Sequence, residues 1–312
     1  MADIRKVATR QSYGEALVEL GAAHDDFVVL DADLAAATQT GKFKAAYPDR
    51  FIDVGVAEQN LMGVAAGIAT TGHRVFASTF AMFAAGRAFE QVRNSIGYPH
   101  LHVVIGATHA GMSVGEDGAT HQCNEDLALM RAIPGMTVIV PADDVEAKAA
   151  VRAAYEAEGP VYVRLGRLPV PVIHKDDYHF ELGRGVVERE GSDVTVIACG
   201  LEVPAALEAA KTLADKGMSC EVINMATIKP LDGDLIVASA RKTGRVVTVE
   251  EHSVIGGLGS AVCDLLCEAC PTPVKKIGVN DVFGESGPAL DLLAKFGLDG
   301  AGVAAAIEGF VR

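Results

Sequence analysis

The sequence predicts an α/β protein with two parallel-sheet domains, of which the second is smaller. Segments that are almost entirely apolar, such as residues 27–30 and 161–164, alternate with helical patterns such as residues 57–70. Strands of this kind are typical of a parallel sheet covered by helices on both faces. Half of the 312 residues are hydrophobic and 33 are glycines, which suits a large core with many short turns. The alternation is interrupted once, at residues 168–192, which indicates a second domain.

The first domain is predicted over residues 1–172. Its strands are expected at residues 27–30, 51–54, 74–78, 101–105, 137–140 and 161–164. Its helices are expected at residues 9–20, 57–70, 81–96 and 142–156. A polar stretch follows from His174 to His179, and residues 173–190 are predicted to be a linker.

The second domain is predicted over residues 191–312 and repeats the alternation of strands and helices. Its strands are expected at residues 194–198, 220–224, 245–250 and 274–277. Its helices are expected at residues 204–216, 234–242, 258–269 and 300–310.

Cys263, Cys267 and Cys270 follow the i, i+4, i+7 spacing that places side chains on one helix face. The run also imitates the ligand spacing of an iron–sulfur cluster, but cluster-binding runs usually lie on glycine-rich loops. We therefore expect free thiols that serve as small core residues.

The charge balance excludes some classes of partner. With 27 basic and 41 acidic residues the formal net charge is −14, which argues against nucleic acid or an anionic membrane. No run reaches the roughly 18 apolar residues of a membrane span. The first residues lack the apolar core of a signal peptide, so a cytoplasmic location is expected.

Glu58 lies in the first turn of an apolar helix, directly after the strand predicted at residues 51–54. Open α/β sheets bind ligands at the carboxyl ends of their strands. A carboxylate in an apolar pocket can hold a proton near neutral pH, so Glu58 is a candidate for proton transfer. The alternative is an acid that only complements the helix dipole.

Phe80 and Phe83 have i, i+3 spacing at a strand-to-helix corner, where aromatic rings can stack on a flat ligand. The same spacing is also common among core residues.

The segment from Thr108 to Gln122 contains two histidines and two acids, and it is too rich in glycine to be predicted as a helix. Catalytic groups are frequently placed on such loops. Either His109 or His121 could transfer protons at neutral pH or bind an anion when charged. A metal site formed by His109, Asp117 and His121 is an alternative, but the short ligand spacing of common zinc sites is missing, so no metal ligand is predicted in this chain.

Arg10, Arg164 and Arg167 lie at a helix start or a strand end, where arginines suit bidentate recognition of phosphate. Surface salt bridges are the alternative for each of them.

The run from Gly256 to Ser260 follows a strand and partly matches a dinucleotide-binding fingerprint, without its third glycine.

These motifs together resemble those of the transketolase family, specifically the C-terminal subunit of split transketolases. The resemblance extends from Arg10 through residues 30–34 to Glu250–His252, and the GEDG-x-THQ segment is its most specific part. It implies a pyrimidine-binding domain for thiamine diphosphate, followed by a transketolase C-terminal domain.

The resemblance also implies roles for individual residues. Glu58 is the glutamate that activates the cofactor, Phe80 and Phe83 surround its aminopyrimidine, and His121 lies near its amino group and the substrate. Asp33 lies near the cofactor and the subunit interface. Substrate contacts are implied for Asp117 at the donor hydroxyl and for His109 and Arg10 at the sugar phosphate. The family's second phosphate arginine falls on Leu165, so Arg164 or Arg167 is expected to replace it.

The diphosphate-binding half of the cofactor site is missing from the pattern. In this family a Gly-Asp-Gly followed by an asparagine holds Mg²⁺ or Ca²⁺, and we find no such pair in this sequence. The resemblance therefore implies a separate N-terminal subunit that holds most of the metal site, in an α2β2 assembly.

The implied reaction is the transfer of a two-carbon ketol unit from a ketose phosphate to an aldose phosphate, in the presence of the N-terminal subunit. A decarboxylating relative, either a deoxyxylulose-phosphate synthase or a 2-oxo acid dehydrogenase β subunit, is an alternative. Thr108-His109 before the glycine loop favours transketolase. Further alternatives are a nucleotide-binding oxidoreductase that uses residues 256–260 and a non-catalytic scaffold.

Overall fold

The computed structural model describes residues 5–312, so the first four residues of the predicted first domain lie outside the described residues. The first domain is built on a seven-stranded sheet, whose strands are β2 (Phe27–Asp31), β3 (Phe51–Asp53), β4 (Arg74–Phe80), β5 (Val103–Thr108), β6 (Thr137–Ile139), β7 (Val161–Arg164) and β12 (Thr227–Lys229). Their order in the sheet is β12-β6-β7-β5-β4-β2-β3, and all are parallel except β12.

Helices cover both faces of this sheet, and a small antiparallel pair lies beside it. The helices are α1 (Thr9–Ala23), α2 (Ala35–Thr38), α3 (Gly41–Ala46), α4 (Glu58–Ala69), α5 (Phe89–Gln91), α6 (Asp126–Arg131) and α7 (Asp144–Glu156). The pair is formed by β1 (Lys6–Val7) and β8 (Val170–Pro171).

The second domain contains a five-stranded sheet with the order β14-β13-β10-β11-β9. Its strands are β9 (Val186–Arg189), β10 (Val194–Ala198), β11 (Cys220–Asn224), β13 (Val246–Ser253) and β14 (Val274–Val279). Its helices are α8 (Glu202–Ala214), α9 (Gly233–Thr243), α10 (Leu258–Ala269), α11 (Ala289–Lys295) and α12 (Gly300–Val311).

Two segments differ in helical type from the prediction. Residues 81–96 are helical but contain two π-helical turns, Met82–Arg87 and Val92–Gly97, a widened geometry that is frequent at functional sites. The glycine-rich loop, expected to be non-helical, contains the 3₁₀ turn Met112–Asp117. Gly115 makes this turn possible because its φ of +79° kinks it in the middle.

The predicted linker is partly a strand. Residues 186–189 pair antiparallel with β11 at the edge of the second sheet, so a continuous connection without regular structure covers only residues 172–185. The prediction missed β9 because a four-residue edge strand has too little apolar pattern to be distinguished from a loop.

The two domains share one core, and β12 joins them directly. β12 follows β11 in the chain but pairs with β6 of the first domain, with Thr227 opposite Ile139. Ile223, Met225 and Ile228 pack in the same buried cluster as Met130 and Val138. The carboxyl ends of the first sheet and the start of the second domain are therefore held in a fixed relation.

The expectation that Cys263, Cys267 and Cys270 are core residues is wrong for one of them. All six cysteines are free thiols. Cys263 and Cys270 are half-buried, but Cys267 is exposed, because α10 covers the second sheet with only part of its surface.

Within residues 5–312, no helix combines the length and the apolar composition needed to cross a bilayer.

The connection between the domains is fixed by His174, whose side chain is only 4% exposed. Its Nε2 lies 2.9 Å from Oε1 of Glu188 and its Nδ1 lies 3.1 Å from Oδ1 of Asp143. The backbone N–H groups of Ile173 and His174 both donate to Oδ2 of Asp143. Burial alone would lower the pKa of His174, but the two carboxylates outweigh burial and raise this pKa to about 10.

Replacing His174 with glutamine (His174→Gln) is expected to cost stability in a pH-dependent way. Because the folded-state pKa is about 10 and the ordinary value is 6.5, the charged ring stabilises the fold fully below 6.5, and this contribution is lost as the pH rises towards 10. The difference in melting temperature between wild type and variant should therefore be largest at low pH. Thermal unfolding followed by circular dichroism across this range measures it.

His179→Gln is the matched control, because His179 is an exposed histidine of the same segment. A destabilisation by His174→Gln that stays constant from neutral to alkaline pH would contradict a charged His174.

Candidate active site

The residues singled out in the first domain meet at the carboxyl edge of its sheet. Asp33 follows β2, Glu58 follows β3, Phe80 ends β4 and His109 follows β5. These strands are parallel neighbours, so their carboxyl ends lie side by side at one edge, where open α/β sheets bind ligands.

Two phenylalanines and two histidines form one aromatic cluster there. The rings of Phe80 and Phe83 are stacked, with centroids 5.8 Å apart and an interplanar angle of 16°. The ring of His109 stacks on Phe80 at 3.8 Å, and the ring of His121 stands edge-on to Phe83 at 5.4 Å. The structure therefore brings together Phe80, Phe83, His109 and His121.

Glu58 is buried beside this cluster, with a side chain that is 3% exposed. Its Oε2 accepts a hydrogen bond from Nη1 of Arg87 at 3.0 Å, and within residues 5–312 its Oε1 accepts none. The pocket around Glu58 is therefore not wholly apolar, because the guanidinium of Arg87 contacts the carboxylate. Arg87 also lies over the ring of Phe83 at 4.7 Å. Its i, i+4 spacing from Phe83 could have identified it from the sequence.

An open groove of 630 Å³ adjoins these residues and is lined by Phe83, Arg87 and Thr120 from the first domain. Ser253, Val282 and Phe283 of the second domain line its other side. The volume lies within the roughly 300–1,000 Å³ of small-molecule sites. A flat heterocycle could enter this groove next to Phe83.

His109 is a neutral histidine in this structure. Its pKa is lowered to about 3 by burial and by the charges of Arg10 and Arg167. Nε2 lies 3.1 Å from Nη1 of Arg10, which can only donate, so Nδ1 bears the proton and donates to Oγ1 of Thr108 at 2.9 Å. Without a ligand, the ring of His109 is therefore an acceptor for Arg10 and not a charged anion-binding group, and its contact with a sugar phosphate stays a prediction.

A second groove, of 560 Å³, contains Arg10 and Arg167. Burial and the nearby positive charge of Arg167 lower the pKa of Arg10. Arg167 lies 3.0 Å from Oε2 of Glu116, and Arg10 donates to the carbonyl of Ala37 at 2.9 Å. Two arginines in one groove can bind an anionic group of a ligand.

Arg164 does not belong to this groove. Its side chain is 6% exposed, and its Nε lies 2.8 Å from Oδ2 of Asp126, which is fully buried. Its Nη2 donates to the carbonyl oxygens of Glu251 and Cys123. The prediction that Arg164 could bind phosphate is therefore wrong, because the side chain is directed into the interface between the domains.

Asp33 and Asp117 are both exposed. Asp33 has a left-handed backbone with a φ of +61°, and its N–H donates to Oδ1 of Asp53 at 3.0 Å. Asp117 ends the 3₁₀ turn, five residues after Met112. Both carboxylates are accessible to a ligand that enters from solvent.

The metal and nucleotide alternatives receive no support from the geometry. Within residues 5–312, no group of three or more His, Cys, Asp and Glu side chains is arranged to hold a metal ion. At the glycine turn before α10, the N–H groups of Leu258 and Gly259 donate to the carboxylate of Glu250 at 2.7 and 2.8 Å. An internal carboxylate thus fills the place that a pyrophosphate would take at this helix start.

Comparisons with known proteins agree with this geometry. The family model described as "Transketolase, pyrimidine binding domain" matches residues 5–172, and that described as "Transketolase, C-terminal domain" matches residues 183–303. A protein of Methanocaldococcus jannaschii named as a transketolase C-terminal section is 51% identical, over 95% of this chain and 93% of its own. A 6-deoxy-6-sulfo-D-fructose transketolase subunit of a Clostridium species is 45% identical, over 93% of this chain and 90% of its own.

One solved structure, described as a split-gene transketolase in an inactive β4 tetramer, is 56% identical and superimposes with a TM-score of 0.89. The match covers 97% of both chains. The two domain matches follow each other in the order that the sequence predicts. The chain therefore belongs to the transketolase family and contains its pyrimidine-binding domain followed by its C-terminal domain, as in the C-terminal section of a split enzyme.

Proposed function

We propose that the chain is the C-terminal subunit of a thiamine-diphosphate-dependent transketolase that transfers a two-carbon ketol unit from a ketose phosphate to an aldose phosphate. The observation that supports this proposal best is the buried Glu58 beside the stacked rings of Phe80 and Phe83. A buried carboxylate with one unused oxygen at the edge of an aromatic platform is what recognition of an aminopyrimidine requires.

The residues fit the pyrimidine half of the cofactor. Phe83 lines the groove, Glu58 offers Oε1 to a ring nitrogen, and His121 stands edge-on to Phe83 beside it. When bound, the thiazolium of the cofactor supplies the nucleophilic carbon of the reaction. In this proposal Glu58 holds and exchanges the proton at the pyrimidine, and His121 moves protons at the substrate.

The substrate contacts follow from the second groove. Arg10 and Arg167 bind the phosphate of the sugar, and neutral His109 fixes the direction of the Arg10 side chain through Nε2. Asp117 accepts a hydrogen bond from a hydroxyl group of the donor. Asp33 lies near the border of the cofactor site, where a partner subunit would close it.

The diphosphate and its Mg²⁺ or Ca²⁺ are proposed to be held mainly by a separate N-terminal subunit, in an α2β2 assembly. Two observations favour this arrangement. The described residues offer no group of side chains for a metal ion. A similar chain forms a β4 tetramer described as inactive, which is the behaviour expected of half a site.

Reconstitution with the N-terminal subunit tests the proposal. The mixture, supplied with thiamine diphosphate and Mg²⁺, is expected to transfer ketol units between sugar phosphates, whereas either subunit alone should not. Release of CO₂ from pyruvate without ketol transfer would instead identify a decarboxylating enzyme. Cofactor-independent binding of NADH would favour the oxidoreductase alternative.

A further inference from the structure

The loop with the catalytic candidates is covered by a segment of the second domain. We name residues 284–289, which comprise the second half of the connection between β14 and α11 and the first residue of α11, the covering segment. A Cβ atom on Gly118 would lie 2.4 Å from Oγ of Ser286, and one on Gly115 would lie 3.3 Å from the carbonyl oxygen of Gly287. The loop glycines therefore allow the covering segment to approach the backbone on either side of Asp117.

Gln122 connects the loop to the covering segment. Its side chain is buried, and its Nε2 lies within hydrogen-bond distance of three carbonyl oxygens. These belong to Met112 at 3.2 Å, Gly115 at 3.3 Å and Glu285 at 2.9 Å. One amide group thus joins the start and the middle of the 3₁₀ turn to the backbone of the other domain.

Gly284 makes this arrangement possible. A Cβ atom at this position would lie 1.7 Å from Oε1 of Gln122, so any larger residue would displace the amide. A second connection lies at the start of the turn, where the N–H of Ser113 donates to the carboxylate of Glu251, near the carboxyl end of β13. The loop is therefore held from the second domain at two points.

We propose that Gln122 is a positioning residue, which fixes the backbone that places Asp117 and His121 by tying it to Glu285 of the second domain. The second domain would then contribute to the reaction indirectly, by supporting the loop that contains Asp117 and His121. This inference rests on the proposed function, because that function gives Asp117 and His121 their roles.

Hydrogen exchange measured on the full-length chain tests the inference without an activity assay. Gln122→Met keeps the length of the side chain but removes the hydrogen-bond donor. Gly284→Ala leaves residue 122 a glutamine but displaces its side-chain amide. In both variants, amides in residues 111–121 should exchange about tenfold faster, whereas those of β5 should not change. Glu285→Ala and Gly309→Ala are the controls, because Gln122 uses only the backbone of Glu285 and a Cβ on Gly309 meets nothing within 4 Å.

Kinetics of the assembled enzyme then separate positioning from folding. A loop displaced by about 1 Å should reduce kcat about 100-fold. The KM for the donor sugar should rise as well, because Asp117 moves with the loop, whereas both variants should still unfold in one cooperative thermal transition, as the controls do. Unchanged exchange in the loop, or a uniform increase across all peptides, would overturn the inference. A wild-type assembly without ketol transfer would overturn the proposed function instead and leave the exchange result valid.

Discussion

Replacing Glu58 with glutamine (Glu58→Gln) is expected to reduce ketol transfer by the assembled enzyme about 1,000-fold. Glutamine fits the same buried space and its carbonyl oxygen can still accept from Arg87, so the local packing is retained. The amide cannot hold and release a proton as a carboxyl group does. Steady-state kcat, measured at saturating thiamine diphosphate, Mg²⁺ and both sugars, gives the effect.

Glu90→Gln is the matched control for this substitution. Glu90 lies on α5, three residues after Arg87, but its side chain is exposed and bonds to Asn94. The control should retain full activity. If Glu58→Gln kept more than about a tenth of wild-type activity, the acid–base role would have to be assigned to another group.

The second large effect concerns stability. Replacing Asp126 with asparagine (Asp126→Asn) should lower the free energy of unfolding by about 3–5 kcal/mol, since it leaves Arg164 buried without its counter-ion. Asp126 is fully buried and also accepts from the hydroxyl of Tyr162 at 2.9 Å. Urea denaturation followed by circular dichroism measures the change.

Arg167→Leu provides the contrast, because Arg167 lies only three residues further along the chain. Its side chain is 35% exposed and pairs with Glu116 at the surface, so its loss should change stability by less than about 1 kcal/mol. It should raise the KM for phosphorylated sugars about tenfold or more, as a charged hydrogen bond is lost. An Asp126→Asn variant that folds stably but binds sugar phosphate poorly would return a substrate role to Arg164.

The elements with strong local patterns were predictable, and those that depend on distant partners were not. Residues 194–198 form β10 as predicted, because a run of five mostly apolar and β-branched residues favours a buried strand. The strand β12 contains only three residues and exists because Thr227 meets Ile139, almost ninety positions earlier in the chain. No window of neighbouring residues contains that information.

The same distinction applies to the site. Glu58, Phe80 and Phe83 could be proposed from spacing, since each follows or ends a strand that the pattern predicts. Spacing could not separate Arg164 from Arg167, because only burial shows which guanidinium faces the groove. Spacing also could not identify Gln122, because the three carbonyl oxygens to which its amide donates come together only in the folded chain.

The pairing of β12 with β6 has a consequence for synthesis of the protein. When residue 172 leaves the ribosome, β6 is still an unpaired edge of an otherwise complete sheet, and its partner follows only at residues 227–229. At roughly 5–20 residues per second, the edge stays open for several seconds. An open edge is a template for pairing with other chains. Release of a nascent chain shortened to the first domain would therefore promote aggregation, and translation through β12 is the step that covers β6 and leaves a three-residue strand at this edge.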